Sequence, residues 1–202
     1  MNLQNYRVIF MTVTGILALL VASPALSRLL VYPRTEFFTE LSLLDPNHRA
    51  ENYPYNITRG QNYSVFLEIV NHLGYTAYYL VEVKFRNQTQ SAPTSFGPLA
   101  NRTPSSLPSL YNASAFVADE GVWEKLSTFS FVYAYNETLS QIEFGSLRFN
   151  GGVFNMASYR ISWDPMGKGF FGYLFFELWL YNGTSFQYHQ RFVALRLNMT
   201  LT

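Results

Sequence analysis

Apolar residues alternate with polar ones along five segments. Gly, Pro, Asn and Asp separate those segments, and one uncharged apolar run precedes them all. These observations predict a mainly β protein: an antiparallel, immunoglobulin-like β-sandwich of roughly seven to nine strands, preceded by one N-terminal transmembrane helix.

The helix comes first. Val8 to Ser27 is a 20-residue stretch without a charge. As a helix it reaches about 30 Å, the thickness of the hydrocarbon core. Arg7 flanks it on one side and Arg28 and Arg34 on the other, so the balance of positive charge does not set its orientation. The expected division is a cytoplasmic tail over 1–7, a signal anchor over 8–27 and an extracytoplasmic β domain over 28–202. In that topology Arg28 and Arg34 lie at the outer headgroups, where long side chains snorkel. Ser23-Pro24-Ala25 and Ala25-Leu26-Ser27 also offer small residues to a signal peptidase, so a cleaved leader stays open beside the anchor. The next most apolar stretch, Phe170 to Tyr181, is too short to span and carries Glu177.

The strands follow from period-two patterning. Over Tyr63–Val70, Val65, Leu67 and Ile69 share one face, with Ser64, Phe66 and Glu68 on the other. Over Thr76–Arg86, Tyr79, Val81, Val83 and Phe85 alternate with Glu82, Lys84 and Arg86. Ser127–Tyr135 sets Phe129, Phe131, Tyr133 and Tyr135 against Thr128, Ser130 and Val132. Tyr173–Tyr181 turns Leu174, Phe176, Leu178 and Leu180 inward and Glu177 outward, and Arg191–Met199 turns Val193, Leu195, Leu197 and Met199 inward. Weaker strands are expected near Phe37–Leu44, Ile142–Phe149 and Val153–Trp163. Asn71-His72-Leu73-Gly74 and Asn182-Gly183-Thr184 read as hairpin turns, because Asn and Gly tolerate positive φ. Ser91 to Ser109, rich in Pro, Ser and Thr, reads as an exposed loop.

Eight Asn-x-Ser/Thr triplets lie beyond the apolar run, at Asn56, Asn62, Asn87, Asn101, Asn112, Asn136, Asn182 and Asn198. With 15 Asn in the chain, chance gives roughly 2. A sequon is modified only on an exposed segment outside the cytoplasm. Asn62, Asn136 and Asn198 fall on the outward parity of their strands, and Asn182 sits in a turn. Asn101 is the weakest acceptor, since Pro104 follows its triplet. The expected reading is a glycoprotein whose C-terminal bulk is outside the cell. Low charge fits it: Asp, Glu, Lys and Arg make up 13% of the chain, against about 25% in ordinary domains. A net charge of +1 with three Lys leaves no basic stripe, so nucleic acid is not an expected partner. With no Cys, thiolate metal sites, Cys nucleophiles and disulfides are excluded.

A family resemblance rests on particular residues. Phe38-Thr39-Glu40, Ala50-Glu51-Asn52-Tyr53-Pro54, Asn56-Ile57-Thr58 with Gly60, Ile69-Val70-Asn71-His72 and Val81-Glu82-Val83 resemble the archaeal family called domain of unknown function 1616. Trp123 with the following strand Thr128–Val132, and the closing Phe176–Tyr181 and Leu195-Arg196-Leu197 pair, look like later parts of that family. The strongest block is Glu51 to Asn71. Many members carry several membrane helices ahead of the domain where this chain has one, and Asn136–Gly169 looks like an insertion. The resemblance implies an archaeal extracytoplasmic β domain and no particular activity.

Catalytic and metal motifs are not evident. The three His, at 48, 72 and 189, are dispersed, and no HExxH, GxSxG or phosphate loop occurs. Asp164 to Gly169 is a turn, and His72 a local hydrogen bonder. Paired carboxylates for glycoside hydrolysis would come from Glu51, Glu68, Glu82 and Glu177, each more simply read as a solvated strand residue. No metal or cofactor is expected.

Aromatics are the unusual resource, with 18 Phe, 15 Tyr and 3 Trp. Phe66, Tyr78, Trp179 and Tyr181 take outward parity and form the candidate interface. They suit a protein partner, a sugar ring, or a second packing face covered by the insertion or by glycans. The expected function is binding or scaffolding at the cell surface, without catalysis. The expected partners are other membrane or surface proteins, the lipid bilayer through 8–27, covalent N-glycans, and further copies of the chain. The alternatives are an accessory subunit of a larger membrane complex, a filament subunit joined by strand addition, and a glycan-processing enzyme.

Overall fold

A computed structural model describes residues 3–29, 36–94 and 98–201. Arg34 lies outside the described residues, as does the side chain of Arg28, so the snorkelling expectation has no counterpart here. The chain forms two units, Met1–Phe37 and Phe38–Thr202.

The first unit is one helix, α1, over Leu3–Leu29. Its window Tyr6–Ser23 has a mean hydropathy of 1.8, enough by length and composition for a membrane span or a signal sequence. It starts before and ends after the expected Val8–Ser27.

The second unit is two sheets. In the first run β1 (Phe38–Leu44), β3 (Tyr63–His72), β6 (Val122–Asn136), β7 (Gln141–Phe149) and β8 (Gly152–Asn155), hydrogen-bonded in that order, with β9 (Arg160–Ser162) also paired to β7. In the second run β2 (Asn56–Ile57), β11 (Phe186–Met199), β10 (Phe171–Tyr181), β4 (Ala77–Arg86) and β5 (Tyr111–Val117). All neighbours are antiparallel except β2 and β11. The segment Asn136–Gly169, expected as an insertion, supplies β7, β8 and β9 and widens the first sheet.

The inner faces meet in an aromatic core. Phe85 of β4 packs on Phe131 and Phe144 of the other sheet at 5.4 and 5.1 Å, and Phe149 meets Phe176 at 6.2 Å. Gly172 makes room for this: a Cβ there would stand 2.4 Å from Cζ of Phe85. The inward residues expected on β3, β4 and β10 are buried, apart from half-buried Leu180. Tyr135 is a departure. It keeps the inward parity of Phe131 and Tyr133, but near the end of β6 it is exposed, its ring 5.6 Å from that of Phe170.

Asn71–Gly74 is not a hairpin. β3 and β4 belong to different sheets, so the turn carries the chain across the sandwich. Asn71 is fully buried there. Its amide donates to the carbonyls of Tyr75, Val117 and Ala118, and its oxygen accepts from Leu73 N–H and the Tyr79 hydroxyl. Such a residue satisfies backbone groups that a sheet crossover leaves unpaired. The hydroxyls of Tyr79 and Thr39 lie 2.8 Å apart, and His189 Nε2 lies 2.9 Å from Thr39 Oγ1. This chain of contacts ties β1, β3, β4 and β11 at one end of the sandwich. Asn182–Ser185 is a hairpin, as expected, with Gly183 at φ 94°.

Candidate functional site: the aromatic face and the sequons

β10 presents Phe171, Tyr173, Phe175, Glu177, Trp179 and Tyr181 on the outer face of the second sheet. The guanidinium of Arg196 lies 3.9 Å from the Phe171 ring centre, and that of Arg86 lies 3.9 Å from Tyr173. Such cation–π contacts hold a charged head over an aromatic face.

Glu177 points outward, as its parity requires, but it is not solvated. Its exposure is 0%, because the segment between β4 and β5 crosses over it. Ser105 N–H donates to Glu177 Oε1 at 2.6 Å, and Lys84 Nζ donates to Glu177 Oε2 at 2.8 Å and to the Ser105 carbonyl at 3.0 Å. Glu82, the cross-strand neighbour of Glu177, stands 3.0 Å from the same ammonium. The Tyr188 hydroxyl donates to Thr94 O at 3.3 Å. Ser91 to Ser109 was expected to be an exposed loop. It is a strap with Pro93 and Ser105 buried, though Ser95 to Gly97 lie outside the described residues. Burial pushes the Glu177 carboxyl up, and the Lys84 ammonium and the Ser105 N–H pull it back down. Burial and the Glu177 charge also push the Tyr188 phenol up.

The four candidate carboxylates are not gathered. Glu82 and Glu177 share Lys84. Glu68 accepts from Ser42 on the other sheet, and Glu51 makes an exposed pair with Arg49. Around Glu177 the groups are mutually satisfied, an arrangement that clamps the strap down.

The candidate interface residues divide between the sheets. Phe66 lies on β3, stacked on His48 at 4.3 Å, with exposed Leu126 opposite it on β6. Trp179 sits beside Tyr188 at 5.7 Å, its indole N–H buried without an acceptor among the described residues. Tyr78 and Tyr181 belong to a further cluster. Tyr78 stacks on Phe116 at 4.2 Å and meets Phe186 at 5.1 Å, and Phe186 meets Tyr181 at 5.4 Å. Phe116 is 72% exposed. It was missed because β5 was missed: its inward residues Ala113 and Ala115 give little apolar alternation.

The sequons sort by what holds the amide nitrogen, the atom that would carry a sugar. Asn87 Nδ2 donates to the Arg160 carbonyl, Asn136 Nδ2 to Glu143 Oε1, and Asn198 Nδ2 to Asn56 Oδ1, and all three residues are half-buried. Asn56, Asn62, Asn101, Asn112 and Asn182 are exposed, and no hydrogen bond among the described residues engages their Nδ2. Position sorts them differently. Asn56, Asn62, Asn87, Asn136 and Asn198 lie at or beside strand ends opposite the end where Phe38 starts β1. Asn182 lies at the Phe38 end, since Leu180 pairs with Tyr79, which bonds Thr39.

The three His are apart. His48 Nδ1 is 2.9 Å from Glu124, and His72 lies between Glu120 at 2.8 Å and Glu40 at 3.3 Å. The bond with Glu120 holds the His72 imidazole above its ordinary value. Burial pushes His189 down to about 4. Among the described residues no three His, Asp or Glu gather to hold a metal ion. A shallow cleft of about 530 Å³ opens between Asn87, Gln88, Gln141, Arg160 and Trp163. Two of its polar side chains are tied down within it: Asn87 donates to the Arg160 carbonyl and Gln88 to the Ser162 carbonyl.

Residues 33–144 match the family described as Domain of unknown function (DUF1616). The chain belongs to this family. β10 and β11 lie beyond the matched residues. No curated protein matches the chain. Among solved structures it is similar to a beta-glucosidase from Listeria innocua in complex with glucose, at 13% identity, covering 83% of this chain and 17% of that one with a TM-score of 0.33. It is also similar to the C-terminal domain of wzt, at 8% identity, covering 84% and 81% with a TM-score of 0.34. The chain thus spans about a sixth of the glucosidase's length.

Proposed function

We propose that this member of the family is a non-enzymatic, membrane-anchored, N-glycosylated cell-surface protein that acts in binding or scaffolding. One observation carries the reading: eight sequons follow one apolar helix, and five of them are exposed with an amide nitrogen that no hydrogen bond among the described residues engages. Strand order supports an immunoglobulin-like sandwich. β1-β3-β6 and β11-β10-β4 take the places of A-B-E and G-F-C, with β5 beside β4 where C′ would run. Intact mass of the native protein, with protease treatment of intact cells, tests the function. The expected result is added sugar at four or more sites and a domain degraded from outside, leaving a small N-terminal stub. A mass equal to the bare polypeptide, or to the polypeptide without its leader, sinks the reading.

A second reading, an accessory subunit of a larger membrane complex, is favoured by the outer face of the first sheet. There Phe66 and Leu126, and Val70 and Val122, pair across strands, with Leu126 and Val122 exposed. Apolar pairs with charges around them suit a protein partner. Replacing Leu126 and Val122 with Ser should abolish co-purification of a stoichiometric membrane protein and leave the unfolding midpoint unchanged.

A further inference from the structure

We infer that the glycan on Asn182 folds back over Tyr181, Phe186, Tyr78 and Phe116, and that this aromatic cluster is a seat for the chain's own sugar. The inference rests on the glycoprotein reading above.

The hairpin fixes the attachment atom. Asn182 Oδ1 accepts from Thr184 N–H and Ser185 N–H, each at 3.0 Å. These two bonds hold the side-chain amide in one orientation, with Nδ2 left unbonded among the described residues and exposed. The Tyr181 hydroxyl donates to the Gly183 carbonyl at 3.0 Å, which lays that ring against the same turn. Phe186 is the cross-strand partner of Tyr181 and lies 5.4 Å from it. Tyr78 and Phe116 continue the row across β4 and β5 at successive ring distances of 5.1 and 4.2 Å. The result is a run of rings that begins beside the sequon and ends on Phe116, 72% exposed.

The chemistry on the two sides is complementary. A pyranose carries hydroxyls at its rim and C–H bonds on its faces. Those weakly positive hydrogens favour the negative face of an aromatic ring. A sugar held covalently at the edge of such a row meets it at high effective concentration, so even a weak stacking contact is populated. A free sugar or a separate protein lacks that advantage. Asn112, exposed on β5, has no such row: its outward neighbour on that strand is Ser114.

The test uses full-length protein from native membranes and follows three quantities: occupancy of the Asn182 peptide by mass spectrometry, the thermal midpoint, and binding of a hydrophobic dye. Thr184→Ala removes the sequon and keeps the turn's Asn182 side chain, and Thr184→Ser keeps the sequon as a control. The expected outcome is an occupied Asn182, with Thr184→Ala lowering the midpoint by roughly 2–4 °C and raising dye binding several-fold. Thr184→Ser should match wild type. In a Phe116→Ser background, Thr184→Ala should add little further change, because the stacking partner is already gone. An unmodified Asn182 beside occupied Asn56 and Asn62 overturns this inference and leaves the glycoprotein reading standing, whereas a wholly bare chain overturns both. An occupied Asn182 with fully additive Thr184→Ala and Phe116→Ser effects also overturns it. So does a protein that co-purifies through Phe116 whether or not Asn182 is modified.

Discussion

The outer faces of the two sheets obey the same alternation rule and end in different environments. On the first, Ser42 bonds Glu68, Ser64 bonds Thr128, His48 meets Glu124, and exposed Leu126 and Val122 lie between them. On the second, the strap closes over Glu177 and Lys84, and aromatic rings with guanidinium lids fill the rest. Both faces carry Glu at outward positions. One Glu is a surface group and the other is sealed at 0% exposure. Parity fixes the side of the sheet a residue takes. Whether water reaches that side depends on what the rest of the chain lays over it.

Removing a charge from each face should therefore give unequal results. Lys84→Met leaves Glu177 buried without its counter-ion, and unfolding should become easier by about 3–5 kcal/mol. The double replacement Lys84→Met with Glu177→Leu should recover most of that loss, since the pair is exchanged for apolar packing of similar volume. Chemical denaturation measures both. A Lys84→Met loss below about 1 kcal/mol would show that the strap lifts and lets water in.

His189 and His72 give the next largest contrast. His189 has its folded value depressed to about 4, so it stays neutral in the fold and protonates more readily when unfolded. The unfolded state then binds more protons between its ordinary value of about 6.5 and about 4, and stability is lost as pH falls through that window. The loss is on the order of 1–3 kcal/mol and should vanish in His189→Gln. His72 runs the other way. Its folded value is raised by Glu120 first and also by Glu40, so its contribution is complete below about 6.5 and fades as pH rises through the raised value. Added salt should weaken the His72 effect and leave that of His189 intact. Midpoints measured from pH 4 to 8 at two salt concentrations would separate them, and equal salt sensitivity would contradict the burial of His189.

The smallest effect belongs to the open face. Glu124→Gln removes an exposed contact with His48 and should change stability by no more than about 0.5 kcal/mol. A larger loss would mean that this face, too, is covered.

What could be read from the chain followed the range of each signal. Alternation in β3, β4, β10 and β11 is strong because each buries three or more large apolar residues in one core. β5 was invisible because Ala113 and Ala115 bury little area, and its exposed Phe116 went unnoticed with it. The turn at Asn71–Gly74 has ordinary hairpin chemistry. Only the pairing of β3 with β1 and β6, far off in sequence, makes it a crossover. Glu177 was legible as outward but not as buried, since the strap over it has no periodicity and its fixing point is a backbone N–H, that of Ser105. Sequons could be counted from sequence. Their division into bonded and free amides required knowing that Asn198 faces Asn56 across 142 residues.

The directions of the outermost segments bear on how the domain carries force. β1 starts at the end where Phe38 pairs with His72, and β11 finishes at the opposite end, where Met199 pairs with Ile57. Tension between those two points would pull β1 along β3 and β11 along β10, parallel to the strands. Antiparallel ladder bonds lie perpendicular to the strands, so all of them in each pair would bear the load together rather than parting one after another. The seven registered residue pairs of β1 with β3 and the eleven of β10 with β11 would thus act as two shear joints in series, with the Thr39–His189 contact bridging them. A β domain wired in this way resists stretching more than the same sheets would if pulled open from one end.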